Sequence, residues 1–100
     1  MQTPEGKVKE QVKRLLRDHK AYYFMPVQNG MGAPSLDFLV CHNGQFLGIE
    51  TKAPGKKATP RQEVTMQQMR NAGAMCLVVD GGTTLAMLEM WLMANARTQN

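Results

Sequence analysis

The 100-residue sequence predicts a single α/β domain in which helices flank a mixed central sheet. Apolar residues recur at helical spacing in three segments, and shorter apolar runs typical of strands lie between them. An Asn43-Gly44 pair separates two of these runs, which is the strongest local signal for an antiparallel hairpin. The last run, residues 74–80, follows a helix, as a strand reached through a crossover does. The predicted order is αβββαβα over residues 1–100.

Threonine residues mark the start of each predicted helix. Thr3 and Thr59 each precede a proline, a pattern typical of a capping residue followed by the first helical position. Thr83 or Thr84 is expected to cap the last helix, and Gly73 is expected to end the second. The inward-facing residues predicted for the three helices are Val8, Val12, Leu15 and Leu16; Val64, Met66, Met69 and Ala72; and Leu85, Leu88, Trp91 and Leu92.

Strand and loop signals fill the intervals between the helices. Residues 21–27 are aromatic and apolar and predict a first strand, whereas residues 28–35 are rich in glycine and predict a loop. Residues 74–80 form a continuous apolar run, typical of a strand buried on both faces. Both cysteines, Cys41 and Cys76, lie in strand-like runs and are expected to be reduced core residues. A zinc site is disfavoured because adjacent Cys41 and His42 would face opposite sides.

Composition favours an anionic partner. The net charge is +4 with a pI near 9.3, and basic residues concentrate in the first twenty residues and in residues 52–61. No apolar run approaches the roughly 20 residues of a membrane span, and no secretory signal pattern precedes the first helix. We therefore expect a cytoplasmic protein with no membrane partner. Charge alone is equally compatible with two solvated basic faces.

The Asn43-Gly44 turn fixes the register of the hairpin. A two-residue turn of type I′ sets His42 opposite Gln45, so the numbers of facing residues sum to 87 and Asp37 faces Glu50. Like charges in facing positions destabilise a sheet, and Lys52, on the same side as Glu50, offsets only one of the two. A divalent cation would complete the neutralisation, and oxygen ligands favour Mg²⁺ or Mn²⁺. The alternative is an exposed strand end with a solvated salt bridge.

Glu5 is a further candidate ligand on the first helix. At about 100° per residue it falls within the arc of the apolar stripe, whereas Glu10 lies on the opposite side. Glu5 is expected to face inward and could reach the metal. A first-turn acid that is favoured by the helix dipole is an equally good explanation.

The arrangement of Asp37 followed by Glu50-Thr51-Lys52 across a hairpin resembles the core of the PD-(D/E)XK nuclease superfamily. The segments PEGKVKEQVKRLL, GAPSLDFLVC, GQFLGIETKAPGKKATPRQ and NAGAMCLVVD are together similar to a stand-alone, phage-type VRR-NUC domain, from about residue 4 to residue 80. The resemblance implies a restriction-endonuclease-like αβββαβ core, here with an extra C-terminal helix. One departure is that Ser35 and Leu36 separate Pro34 from Asp37, where such domains usually have proline directly before the aspartate.

The resemblance implies roles for individual residues. Asp37 and Glu50 would hold the metal with the Thr51 carbonyl, and Glu5 matches the first-helix acid of these nucleases. Lys52 would orient or help deprotonate the attacking water, and Gln62 matches a glutamine that positions water or substrate. DNA-backbone contacts are expected from Lys9, Lys13, Lys56, Lys57 and Arg61.

The implied activity is Mg²⁺- or Mn²⁺-dependent hydrolysis of DNA that leaves 5′-phosphate and 3′-hydroxyl ends. Related stand-alone domains point to a structure-selective endonuclease that acts on branched DNA such as Holliday junctions as a homodimer, encoded by a phage or a bacterium. The apolar last helix offers a possible two-fold surface. The competing hypothesis is a non-catalytic nucleic-acid-binding module in which the acidic and basic groups are structural.

Overall fold

A computed structural model describes residues 2–27 and 34–97 and confirms the predicted element order. The helices are α1 (Pro4–Asp18), α2 (Pro60–Asn71) and α3 (Gly82–Ala94), and the strands are β1 (Tyr22–Phe24), β2 (Phe38–His42), β3 (Gln45–Thr51) and β4 (Met75–Val79). The strands form one sheet in the order β1-β2-β3-β4. The first two pairings are antiparallel and β3 pairs with β4 in parallel, so the α/β class with a mixed sheet is confirmed.

The hairpin adopts the predicted register. His42 pairs with Gln45 and Phe38 pairs with Ile49, so the numbers of paired residues sum to 87 along the whole β2–β3 ladder. Asn43 and Gly44 have φ values of 51° and 84°, as a type I′ turn requires. Asp37 lies one position beyond the last ladder pair on its strand, and Glu50 is the matching residue of β3.

Helices cover both faces of the sheet. The larger core lies between the sheet and the pair α1 and α3, and its buried residues include Val12, Leu16, Phe38, Ile49 and Leu88. A smaller core lies under α2, where Leu36, Met66 and Cys76 are buried. Gly48 makes this packing possible, because a Cβ there would stand 2.6 Å from Met69 Cε. The Met69 side chain of α2 therefore packs directly against the backbone at Gly48.

Threonine caps form at two of the three predicted positions. The Thr3 side chain accepts a hydrogen bond from the Gly6 amide at 3.0 Å, and Thr59 forms a reciprocal capping box with Gln62. The prediction that Thr83 or Thr84 caps α3 is wrong, since the N-cap residue is Gly81. Gly81 has a φ of 127°, which favours glycine.

Three predicted core positions face solvent: Val64, Cys41 and Ala72, the last of which is the C-cap residue of α2. Val64 is 58% exposed, because Thr65 and Met66 are the residues of α2 that turn toward the sheet. Cys41 is exposed, because its side chain lies on a part of the sheet that α2 does not cover, whereas His42 on the opposite face is buried. Cys76 is buried and both thiols are free, as predicted.

The strand predictions are partly confirmed at their ends. β1 spans three residues instead of residues 21–27, and Pro26 has no N–H with which to extend the ladder. β4 packs against helices on both faces, as expected, yet it is an edge strand and Met75 is exposed.

The predicted loop over residues 28–35 and the frayed C-terminal end lie largely outside the described residues. None of the helices in the described ranges has the length and apolar character that a membrane crossing needs.

The turn geometry predicts opposite effects for two glycine substitutions. Gly44→Ala should lower the free energy of unfolding by about 1 to 2 kcal/mol, because alanine disfavours a φ of 84°. Gly82→Ala is the matched control, since Gly82 opens α3 with free space around it, and it should be neutral or stabilising by about 0.4 to 1 kcal/mol. Urea denaturation measures both, and equal effects at the two sites would contradict the turn assignment.

Candidate active site

Asp37 and Thr51 are joined by two hydrogen bonds at the end of the β2–β3 hairpin far from the turn. The backbone N–H of Thr51 donates to Asp37 Oδ2 at 3.0 Å, and the Thr51 hydroxyl donates to the same oxygen at 2.6 Å. Thr51 is fully buried, so it provides a fixed anchor for the carboxylate. The other carboxylate oxygen of Asp37, Oδ1, takes part in neither of these two hydrogen bonds.

Glu50 is the buried member of the acid pair formed by Asp37 and Glu50. Only 3% of Glu50 is exposed, yet its oxygen Oε2 has two polar neighbours, the Gln62 amide Nε2 at 2.9 Å and Lys52 Nζ at 3.7 Å. Its oxygen Oε1 is buried with no hydrogen-bond partner among the described residues. A buried carboxylate oxygen without a partner is energetically costly, so this atom is the strongest indication that the site is completed by a ligand.

The surroundings of Glu50 raise its pKa to about 7 from its ordinary value of 4.5. Burial is the largest cause because it penalises the charged form, and the negative charge of Asp37 is the next. The ammonium of Lys52 acts in the opposite direction and offsets only part of the increase. The site therefore holds less positive charge than its two carboxylates require.

Gln62 links α2 to the acid pair. Its carbonyl oxygen Oε1 accepts a hydrogen bond from the Thr59 N–H at 2.9 Å, and this bond is half of the capping box at the start of α2. The amide nitrogen is thereby turned toward Glu50. Gln62 is a predicted site residue, but its capping role was not predicted. The spacing of Thr59 and Gln62 is that of a capping box and could have indicated this role.

Glu5, the predicted acid of the first helix, is partly exposed, and its charge acts on Glu50. It is in the first turn of α1, its side chain is 47% exposed, and its nearest basic partner is Lys9 at 4.0 Å. Its charge contributes the smallest of the effects that raise the pKa of Glu50. The described residues contain no group of three or more His, Cys, Asp and Glu placed to hold a metal ion, and the role of Glu5 as a ligand stays a prediction.

The predicted DNA-contacting residues fall into two groups. Lys9 and Lys13 lie on α1 beside acids of the same helix, with Lys13 Nζ 3.2 Å from Glu10 Oε1. Lys56, Lys57 and Arg61 are exposed, and no carboxylate in the described part of the chain pairs with them within 4.0 Å. The second group is therefore the more available to an anionic ligand.

Two residues that sequence reasoning missed hold the site in place. Leu36 is fully buried under α2 and fixes the chain immediately before Asp37. Asp80 accepts a hydrogen bond from the Gly55 N–H at 3.1 Å and another from the Thr84 hydroxyl at 2.8 Å. These bonds, that of Thr84 first, lower the pKa of Asp80. They tie the basic loop (residues 52–59) to the start of α3.

The residues present fit a hard divalent cation. Mg²⁺ is commonly held by one or two carboxylates together with waters and substrate phosphates, which matches an acid pair more closely than a closed protein cage does. Asp37 and Glu50 would hold the ion, and the partnerless Oε1 of Glu50 is the atom that lacks a counterpart. The Thr51 amide and hydroxyl, which both hold Asp37, would serve as orienting groups.

Comparison with known proteins gives no family assignment. No protein-family model matches the chain, and no curated protein is significantly similar to it. The proposed function therefore rests on the geometry of the residues around the acid pair.

The pKa of Glu50 predicts a pH-dependent stability in the presence of a chelator. Between pH 4.5 and about 7 the folded state binds the proton more tightly than the unfolded state, so stability should fall as pH rises, by at most about 1.4 kcal/mol per pH unit. Glu50→Gln should remove this dependence, because the amide does not titrate. Glu10→Gln, a surface acid of α1, should keep it.

Denaturant titrations across this pH range measure the effect as the difference between the wild type and each variant. Parallel curves for the wild type and Glu50→Gln would contradict the raised pKa.

Proposed function

We propose that this chain is a metal-dependent nuclease of the PD-(D/E)XK type that hydrolyses DNA phosphodiester bonds. The observation that carries the proposal is the buried, partnerless Oε1 of Glu50 in a site that also contains Asp37, Lys52 and Gln62. Most buried polar groups in folded proteins have a hydrogen-bond partner, so a purely structural salt bridge accounts less well for this atom than a bound cation does. The resemblance to VRR-NUC domains points to the same residues.

Lys52, Gln62 and Thr51 would each have a separate role in hydrolysis. When bound, Mg²⁺ or Mn²⁺ would supply Lewis-acid stabilisation of the charge that develops on the phosphoryl group. Lys52 lies beside Glu50, where its ammonium can orient the attacking water and offset phosphate charge. The water oxygen bonds to phosphorus, the P–O3′ bond breaks, and a proton passes to the leaving O3′. Gln62 and Thr51 keep the acid pair oriented throughout.

The basic loop supports a DNA substrate. Lys56 and Lys57 lie in this loop, and Arg61 follows it in the first turn of α2, next to Gln62. All three lie on the segment that leads from β3 into the first turn of α2, where they would contact phosphates near the bond that is cut. Asp80 restrains the loop through Gly55, so these cations are held near the site before DNA arrives.

A homodimer is proposed as the working form on branched DNA. The outer face of α3 supports this arrangement, because Met87, Met90 and Met93 are all exposed. Exposed apolar side chains in a continuous row are typical of a protein interface. Two copies related by a two-fold axis would present two acid pairs to two DNA strands.

The proposal predicts that metal stabilises the fold through the acid pair. Adding Mn²⁺ should raise the melting temperature of the wild type, by the equivalent of about 2.7 kcal/mol at 100 times Kd. The increase should be larger above pH 7 than below it, because the ionised form of Glu50 binds the cation. Thermal melts of Asp37→Asn and Glu50→Gln should show no increase, whereas Glu10→Gln should behave as the wild type.

Lys52→Ala separates a nuclease from a binding module. The wild type should cleave at least one substrate in a panel of labelled single-stranded, duplex, flap and four-way DNAs with Mg²⁺ or Mn²⁺. Lys52→Ala should lose about 10²- to 10⁴-fold in rate while it keeps its DNA affinity in EDTA, because the lysine acts on the water and not on the strand as a whole. Lys7→Ala, which changes an exposed lysine of α1, is the control. DNA binding without cleavage of any substrate would establish the binding module instead.

A further inference from the structure

Among the described residues, no helix covers the β1 side and turn end of the sheet face that carries Glu50, and we call this part the uncovered face. Side chains alternate between faces, so the residues that share this face with Glu50 are Phe46 and Gly48 of β3 and their cross-strand neighbours. Tyr22, Cys41 and Phe46 form one row across three strands, and Phe24, Leu39 and Gly48 form the next. The second row lies about 7 Å from Glu50 along the strands.

This uncovered face is unusually aromatic. Tyr22 is 71% exposed, Phe24 56% and Phe46 47%, and these are three of the six aromatic residues of the chain. Isolated exposed apolar residues are ordinary, but a contiguous aromatic group on one face is typical of a binding surface. The outer face of α3, by contrast, exposes methionines instead of aromatic rings.

A cavity of about 510 Å³ lies between α2 and this face. Its apolar wall includes Leu39, Phe46 and Met69, and its polar rim includes Ser35, Thr65 and Gln68. The described residues that line it carry no charge. Ser35 lies two residues before Asp37 in the chain, and Leu39 and Phe46 lie on the sheet face that carries the acid pair. One aromatic ring, apolar side chains and neutral hydrogen-bonding groups match the flat face and polar edges of a nucleobase.

We propose that this cavity and the aromatic rows bind unpaired bases of the DNA strand whose phosphate lies at the acid pair. The inference rests on the proposed nuclease function and deepens it, because it names the substrate as DNA with unpaired nucleotides next to the bond that is cut. A strand that enters past Lys56 and Lys57 meets the acid pair and continues along the uncovered face. Bases inside a duplex are stacked on one another and cannot reach Phe46 in this way.

The surface chemistry favours bases over a second copy of the chain. Each base has a π-face, and stacking on an aromatic side chain is worth about 1 to 3 kcal/mol per base. The chain is also positively charged overall, which favours a polyanion as the partner. The face continues along β3 from Phe46 through Gly48 to Glu50, so a strand whose phosphate lies at the acid pair can extend its bases along these rows.

Fluorescence anisotropy in EDTA tests the inference without cleavage. The probes are a fluorescein-labelled oligodeoxythymidine and a labelled blunt duplex. Phe46→Ala should weaken binding of the single strand by at least about fivefold, which corresponds to the lower limit of one stacked base, and should change duplex binding much less. Gln68→Ala should weaken the single strand in the same direction. Phe46→Trp should retain single-strand affinity, because it retains an aromatic face.

Val64→Ala is the matched control, since it removes an exposed apolar side chain of α2 that does not line the cavity and should leave both affinities unchanged. Equal losses on both probes, or no loss on the single strand, would overturn the inference. So would conversion of a dimer to a monomer by Phe46→Ala with single-strand binding intact, which would identify a second copy as the occupant. Cleavage without single-strand selectivity would refute this inference alone, and selective binding without cleavage would refute the nuclease proposal alone.

Discussion

The pairing register of β2 with β3 is the constraint on which the site depends. The left-handed backbone at Asn43 and Gly44 fixes which residues meet at the far end of the hairpin. A shift of one residue would turn Glu50 to the opposite face and carry Phe38 and Ile49 out of the core. Burial of these apolar residues therefore fixes the positions of Asp37 and Glu50. The free energy of core packing offsets the repulsion between the two carboxylates.

The electrostatic cost of placing Asp37 beside Glu50 falls mainly on the Glu50 carboxylate. Asp37 is held by two donors from Thr51, whereas Glu50 is buried with a single amide donor on one oxygen and none on the other among the described residues. Burial first, and then the negative charge of Asp37, raise the pKa of Glu50 although Lys52 is only 3.7 Å away. Natural proteins tolerate such local costs mainly where they bind or transform a ligand.

Most of the fold could be predicted from the sequence, because apolar periodicity, capping threonines and the Asn-Gly turn act locally. The exceptions have physical causes. The buried side of α2 carries Gln62 and Thr65, so its apolar residues do not mark its inward face and Val64 was assigned to the wrong side. Gly81 displaces the expected threonine cap of α3. The acid pair and Lys52 followed from alternation along the hairpin, but the roles of Leu36 and Asp80 depend on contacts between distant segments that no local pattern encodes.

The two ends of the Gln62 side chain serve different structures at once. One end closes the first turn of α2 and the other donates to Glu50, so the amide cannot satisfy a new partner at the acid without weakening the helix start. Whatever draws Glu50 away from Gln62 would also loosen the segment that carries Arg61. In the proposed nuclease, a single glutamine would make the hold of Arg61 on the nucleic-acid backbone depend on what occupies the Glu50 carboxylate, which would couple product release to the state of the site.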